Sequence, residues 1–244
     1  MAQESKDFSR RDLLKAGTVM AAATLIPNLA NTKASSQTSK KYWTEKQIQP
    51  KDFTPLIVTP PSGMSSRQIS EHLGLYKKYV SKLNKVHEQE KKTGITHDSL
   101  INKGFAYGGT VLHELYFGNL SQAPTKINQS ELLNAINRQY GNFDNFISNF
   151  KTAGKSSRGW TILGLNLFDG NLDIFGLDAH NEGTMLSYIW PVVVMDVYEH
   201  AYMIDHGTNK QAYINDFVKN INWNIAEARF NQGLKNISNA DLII

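Results

Sequence analysis

Asp196-Val197-Tyr198-Glu199-His200-Ala201-Tyr202 follows directly on an apolar run, Pro191-Val192-Val193-Val194-Met195. The run predicts a buried strand, and a carboxylate at the end of a buried strand is costly unless something pairs it. His200 stands four residues on. His113 lies in Gly108-Gly109-Thr110-Val111-Leu112-His113-Glu114-Leu115-Tyr116-Phe117, among residues that belong in a core, and His72 falls on the apolar face of a predicted helix. Buried histidines converging on a buried aspartate describe a metal site, because the ion supplies the charge that makes the burial tolerable. The 244 residues include no cysteine. Disulfide scaffolds, thiolate zinc sites, iron–sulfur clusters and cysteine nucleophiles are thereby excluded, and any metal rests on His, Asp, Glu or backbone oxygen.

Around this stretch the patterning changes along the chain. Residues 160–168, 172–177 and 188–195 are rich in Ile, Leu, Val and aromatics, and Asp169-Gly170-Asn171 is a turn signal between the first two. They predict an antiparallel meander of three strands. Upstream, Ser65 or Ser66 caps a helix to about Lys92, with Ile69, His72, Leu75, Tyr76, Tyr79, Val80 and Leu83 at helical spacing. Gly94 breaks it, and a second helix spans 98–117 despite glycines at 104, 108 and 109. Shorter helices follow at 128–140 and 142–151, and helical spacing returns at 213–220 and 226–230. The expected fold is α+β: an N-terminal antiparallel helical hairpin (62–123), then an α/β domain (124–244) with a three-stranded antiparallel sheet and flanking helices.

Apolar residues make up 41% of the chain and charged residues 20%, a balance that argues against a mainly disordered or coiled-coil protein. The net charge of +4 falls to +2 without residues 1–34, which hold five basic and three acidic side chains. No dense basic stripe is present, so nucleic acid is not an expected partner. Ser9-Arg10-Arg11-Asp12-Leu13-Leu14-Lys15 precedes an apolar run at 16–26 that is too short to span a bilayer. A positive segment before a short apolar run is an export signal, and adjacent arginines before a leucine pair resemble the twin-arginine type. Residues 1–34 are expected to be that signal and 35–61 a linker and extended arm. The expectation is a periplasmic or secreted protein without stable membrane insertion. The twin-arginine translocation machinery would be a partner, carrying the chain already folded and loaded with its cofactor.

The Asp196–Tyr202 stretch resembles the DxWEHAYY signature of the iron/manganese superoxide dismutases, with Tyr198 in place of the tryptophan. Tyr79-Val80-Ser81-Lys82-Leu83-Asn84 is similar to that family's YVxxLN, Gly108 to Leu120 to its second-ligand helix, and Ile221-Asn222-Trp223 to its VNW stretch. The likeness runs from about Ser65 to Phe230. It implies one iron or manganese ion per subunit, held by His72, His113, Asp196 and His200, with superoxide as substrate. Tyr79 would gate the approach, and Trp160 and Tyr198 would wall the pocket. It further implies a homodimer, in which Glu199 reaches the other subunit's His200 and Tyr202 pairs with a first-helix side chain.

Three departures accompany the resemblance. The family's first ligand lies eight residues before the tyrosine of YVxxLN, where this chain has Glu71, whereas His72 is seven before. Seven residues keep one face of a regular helix, while eight require a one-residue bulge. His72 on an unbulged helix is the expectation, with Glu71 the rival ligand. Leu75 and Tyr76 replace a further histidine pair, which makes Tyr76 the first candidate partner for Tyr202. His180 stands at the place of the glutamine that hydrogen-bonds the metal's solvent in manganese enzymes, and Gly109 at that of the iron-type glutamine. His180 would take over that hydrogen bond; its plain reading is a turn histidine in Asp178-Ala179-His180-Asn181.

Three neutral imidazoles and one carboxylate leave a positive site with one open position. Iron and manganese cycle there and zinc does not, and the ligand set does not choose between the first two. Lys77, Lys78, Lys82 and Lys85 flank Tyr79 as an anion-steering group or a solvated face. The alternative is an exported metal-binding protein on this fold without dismutase turnover. A non-haem iron oxygenase, with three protein ligands, fits four candidate ligands less well.

Overall fold

Residues 47–123, 125–183, 186 and 188–240 are described in the computed structural model. The expected signal at 1–34 and the linker through residue 46 lie outside the described residues. The arm begins extended and is held by the hairpin: Asn84 accepts from the Ile48 amide at 2.9 Å and donates to its carbonyl at 2.8 Å. An arm extended as far as 61 is corrected by α1 (Pro55–Val58), a single helical turn. Proline favours that turn because it starts a helix with φ already set and no amide left unpaired.

Ser65 accepts from the Gln68 amide and caps α2 (Ser66–Thr93), and Gly94, at φ 77°, ends it. The segment is α-helical throughout. Ile69, His72, Leu73, Tyr76, Val80 and Leu83 are therefore all buried. A Thr96–Ser99 capping box starts α3 (His97–Gly118), which packs on α2 as the hairpin. Packing outweighs the cost of the α3 glycines. Ser130 and Asn142 cap α4 (Glu131–Tyr140) and α5 (Phe143–Ser156), separated by Gly141 at φ 84°.

The sheet comprises β1 (Trp160–Asn166), β2 (Leu172–Leu177) and β3 (Ile189–Asp196), antiparallel in the order β2-β1-β3. The expected meander is corrected, since β3 pairs with β1 rather than β2. β1 is buried along nearly its whole length and takes the centre. The connection carrying α6 (His180–Gly183) crosses to its far edge. Trp160 opposes both Leu177 and Asp196, so one end of the sheet presents Trp160 and Asp196 side by side.

A 3-10 turn at Glu199–Ala201 leads into α7 (Met203–His206), α8 (Lys210–Lys219) and α9 (Trp223–Ala240). α9 runs well beyond the expected 226–230 and packs against β3. A single core joins Leu73 and Tyr76 of α2, Phe117 of α3, Phe150 of α5, Leu163 and Val193 of the sheet, and Phe230 of α9. Each large apolar side chain so buried stabilises the fold by roughly 2 kcal/mol over exposure. Hairpin and sheet are thus fixed against each other. No helix among the described residues is long and apolar enough to cross a membrane.

Candidate metal centre

His72 from α2, His113 from α3, Asp196 at the end of β3 and His200 in the following turn each offer a ligand atom, all within 4.8 Å of one another. The Nε2 atoms of His72, His113 and His200 lie 3.1, 3.5 and 3.2 Å from Asp196 Oδ2. Asp196, His72 and His113 are fully buried at their side chains, while His200 is 29% exposed at its own. The Asp196 carboxylate is fixed from behind: Oδ1 accepts the Tyr198 amide at 3.0 Å, and the Tyr213 hydroxyl donates to the Asp196 carbonyl at 2.6 Å.

Three imidazoles aimed at one carboxylate oxygen exceed what that oxygen accepts as hydrogen bonds. His113 shows the consequence. Its Nδ1 donates to the Gly109 carbonyl at 2.5 Å, which leaves Nε2 as a lone pair, and that buried Nε2 has no hydrogen-bond partner. A ligand histidine with its other nitrogen on a backbone carbonyl is the usual arrangement around a metal. Donors bonded about 2 Å from one ion have separations of this size. The residues therefore fit a cation with three nitrogen donors and one oxygen donor. Burial holds the His72 and His113 pKa values below their usual range. Burial also opposes ionisation of Asp196, but the adjoining His200 and His72 outweigh it and hold that carboxyl below the usual range. The set thus pairs the Asp196 anion with the imidazoles of His72 and His113, whose protonation burial disfavours, and with His200 as the third nitrogen donor.

Beyond the donors, Trp160 donates its indole N–H to His180 Nδ1 at 2.9 Å, so the proton of the neutral ring sits on Nε2. Nε2 then donates to the Tyr79 hydroxyl at 2.8 Å. Burial lowers His180 to about 4, which keeps it neutral at pH 7, and raises Tyr79 to about 12. Where a bond from His180 to the metal's solvent is expected, the two ring nitrogens meet Trp160 and Tyr79. It lies in the helical turn α6, buried, rather than in an open turn. The Tyr79 ring lies 5.2 Å from that of His113, and Tyr198 stacks on His200 at 5.2 Å and 18°.

Glu71 is exposed on α2 and stands outside the four-residue group. Tyr76 is corrected as a partner for Tyr202. It is fully buried, donates to Glu114 at 2.8 Å and accepts the Lys51 amide at 2.8 Å. Tyr202 stacks instead on Tyr213, 5.3 Å away. Glu199 is exposed beside His200 on an open cleft of about 700 Å³, which Tyr198, Tyr202 and Lys210 also line. Of the lysines near Tyr79, Lys82 lies 5.4 Å from the Phe105 ring, which itself packs on Tyr79 and His180.

Gln68 and Glu114 were not anticipated. Gln68 is buried one turn before His72, donates to the His200 carbonyl at 2.7 Å and accepts the Ile204 amide at 3.1 Å. A polar residue four before His72 on an apolar face was its signal. Glu114 binds Lys51 at 2.7 Å and so ties the arm to the residue next to His113; no spacing rule joins the two.

Residues 128–229 match the family described as iron/manganese superoxide dismutases, C-terminal domain. The chain is 37% identical over 202 residues to an iron superoxide dismutase of Aquifex aeolicus, covering 78% of this chain and 93% of that one. It is 36% identical over 202 residues to the iron enzyme of Aquifex pyrophilus, with the same coverage. With a manganese superoxide dismutase of Mycolicibacterium smegmatis it shares 32% over 131 residues, 53% of this chain and 63% of the other.

Proposed function

The chain belongs to the iron/manganese superoxide dismutase family, and we propose that it disproportionates superoxide at one iron or manganese ion held by His72, His113, Asp196 and His200. It is an oxidoreductase acting on superoxide. The observation that supports this ligand set is the buried His113 Nε2, deprotonated and unpartnered, facing the same carboxylate oxygen as two other imidazoles. When bound, the ion supplies a one-electron cycle in which one superoxide becomes O₂ and a second, with two protons, becomes hydrogen peroxide. Asp196 offsets only part of the ion's charge, so the pocket attracts a small anion. Tyr79 holds a proton at its hydroxyl, oriented by the His180 Nε2 proton it accepts. Trp160, Tyr198 and Phe105 enclose His180 and keep bulk water from it.

The same reading extends to assembly and destination. The protein is a homodimer in which Glu199 of the partner subunit reaches His200, the ligand left 29% exposed in the single chain. It is exported folded through the twin-arginine route to the periplasm or beyond, on the strength of Arg10-Arg11 and the apolar run behind them.

Loading the protein separately with iron, manganese and zinc, then following superoxide decay, tests the function. Catalysis by the iron or manganese form and none by the zinc form is expected, since zinc does not cycle. Tight metal binding with no turnover in any form would make the protein a metal binder on this fold.

A further inference from the structure

We infer that the Tyr198 hydroxyl is a positioning group for His180, so that two departures from the family pattern beside the metal site work as a matched pair. The inference rests on the proposed metal centre and deepens it. Tyr198 stands where the family has tryptophan, and His180 where it has glutamine. Their rings meet with centroids 4.9 Å apart. The Tyr198 hydroxyl donates to the Asp178 carbonyl at 3.0 Å, two residues before His180. The opposite face of the site holds Tyr198 as firmly: its amide donates to Asp196 Oδ1 at 3.0 Å, and its ring stacks on His200. One side chain thus connects the segment that carries two ligands to the segment that carries His180.

Besides the Trp160 and Tyr79 bonds to the His180 ring, Arg158 also holds this segment. Arg158 forks onto the Asp178 carboxylate at 3.0 and 2.7 Å, but the guanidinium side chain is 80% exposed, so water and salt screen it. The Tyr198 bond acts on backbone, which sets the position of the next residues directly. Gly159 makes room for the ring, since a Cβ there would stand 3.0 Å from Tyr198 Cε2. From His180 the effect passes to one atom. His180 Nε2 donates to the Tyr79 hydroxyl, so the placement of His180 sets which group the Tyr79 oxygen is held against.

Tyr198→Phe keeps the ring and its stacking and removes only the hydroxyl. On the metal-loaded protein, with metal content unchanged, amide exchange over residues 178–182 should rise about fivefold, as expected for one lost hydrogen bond. The affinity for azide, a small-anion probe of the metal read from its absorption band, should fall by a similar factor. His180→Ala should weaken azide at least as much, and adding Tyr198→Phe to it should change nothing further, because the hydroxyl acts through His180. Unchanged exchange and azide affinity in Tyr198→Phe would overturn the inference, as would additive effects in the double variant. Loss of metal from Tyr198→Phe would place its role at the ligands instead and equally overturn it. Both readouts need only bound metal. A wild-type protein that binds metal but leaves superoxide untouched would refute the proposed function while these measurements still decided the role of Tyr198.

Discussion

Asp196 holds the centre together at the scale of single residues. Its Oδ2 faces three imidazoles, and removing a donor leaves a fully buried carboxylate short of partners. His72→Ala should abolish metal retention as measured by elemental analysis, whereas Glu71→Gln, at an exposed position, should retain it; the reverse outcome would make Glu71 the ligand. His180 carries a pH signature. Its pKa falls from the ordinary 6.5 to about 4 in the folded protein, mainly through burial. The unfolded chain therefore binds more protons in that interval, and stability rises with pH there. In the metal-free protein this contribution should be complete above about pH 6.5 and lost as pH falls toward 4. Thermal melts of His180→Gln should show a shallower slope across that window. Much of this scale was legible in the sequence. Asp196 after five apolar residues and His113 among core residues both announce buried polarity. The Tyr76–Glu114–Lys51 contacts and the Trp160–His180 bond were not, because they join residues 20 or more apart in sequence through geometry no local pattern encodes.

At the scale of elements, the site depends on how closely α3 approaches its neighbours. A Cβ on Gly109 would lie 2.7 Å from the Tyr79 ring, and one on Gly108 would collide with the His180 carbonyl. Backbone gives way less readily than a ring, so Gly108→Ala should destabilise more than Gly109→Ala, with costs of about 1–3 kcal/mol for such overpacking. Urea unfolding of the two variants checks the order, and equal midpoints would contradict it. Gln68 gives α2 a second grip on the ligand turn, and Gln68→Ala should cost about 1–3 kcal/mol for the unpaired His200 carbonyl and Ile204 amide. Helices α2 and α3 were readable because 3.6-residue spacing and caps mark them. Strand identities were readable too, but the order β2-β1-β3 was not. A loop's length does not say which edge the next strand joins; that is decided by β1 having both edges to satisfy.

At the scale of the whole molecule, the hairpin carries two of the candidate ligands and the sheet with its following turn the other two, so neither part would complete the proposed centre alone. Metal removal should therefore loosen the contact between them, lowering the melting temperature in proportion to the free energy of binding. His200 is the donor with an open flank, and the exposed Glu199 beside it suits a two-fold contact that every dimer makes twice. Glu199→Ala should weaken dimerisation in light scattering and metal retention together. A monomer with full metal occupancy would contradict the proposed bridge. Arg10 and Arg11 changed together to Lys should hold folded, loaded protein in the cytoplasm, as fractionation would show. Anomalous diffraction from crystals of the iron- or manganese-loaded protein tests the central claim most directly. The ligand set predicts one peak per chain about 2 Å from His72 Nε2, His113 Nε2, Asp196 Oδ2 and His200 Nε2. A peak coordinated by Glu71, or lying away from Asp196, would contradict it.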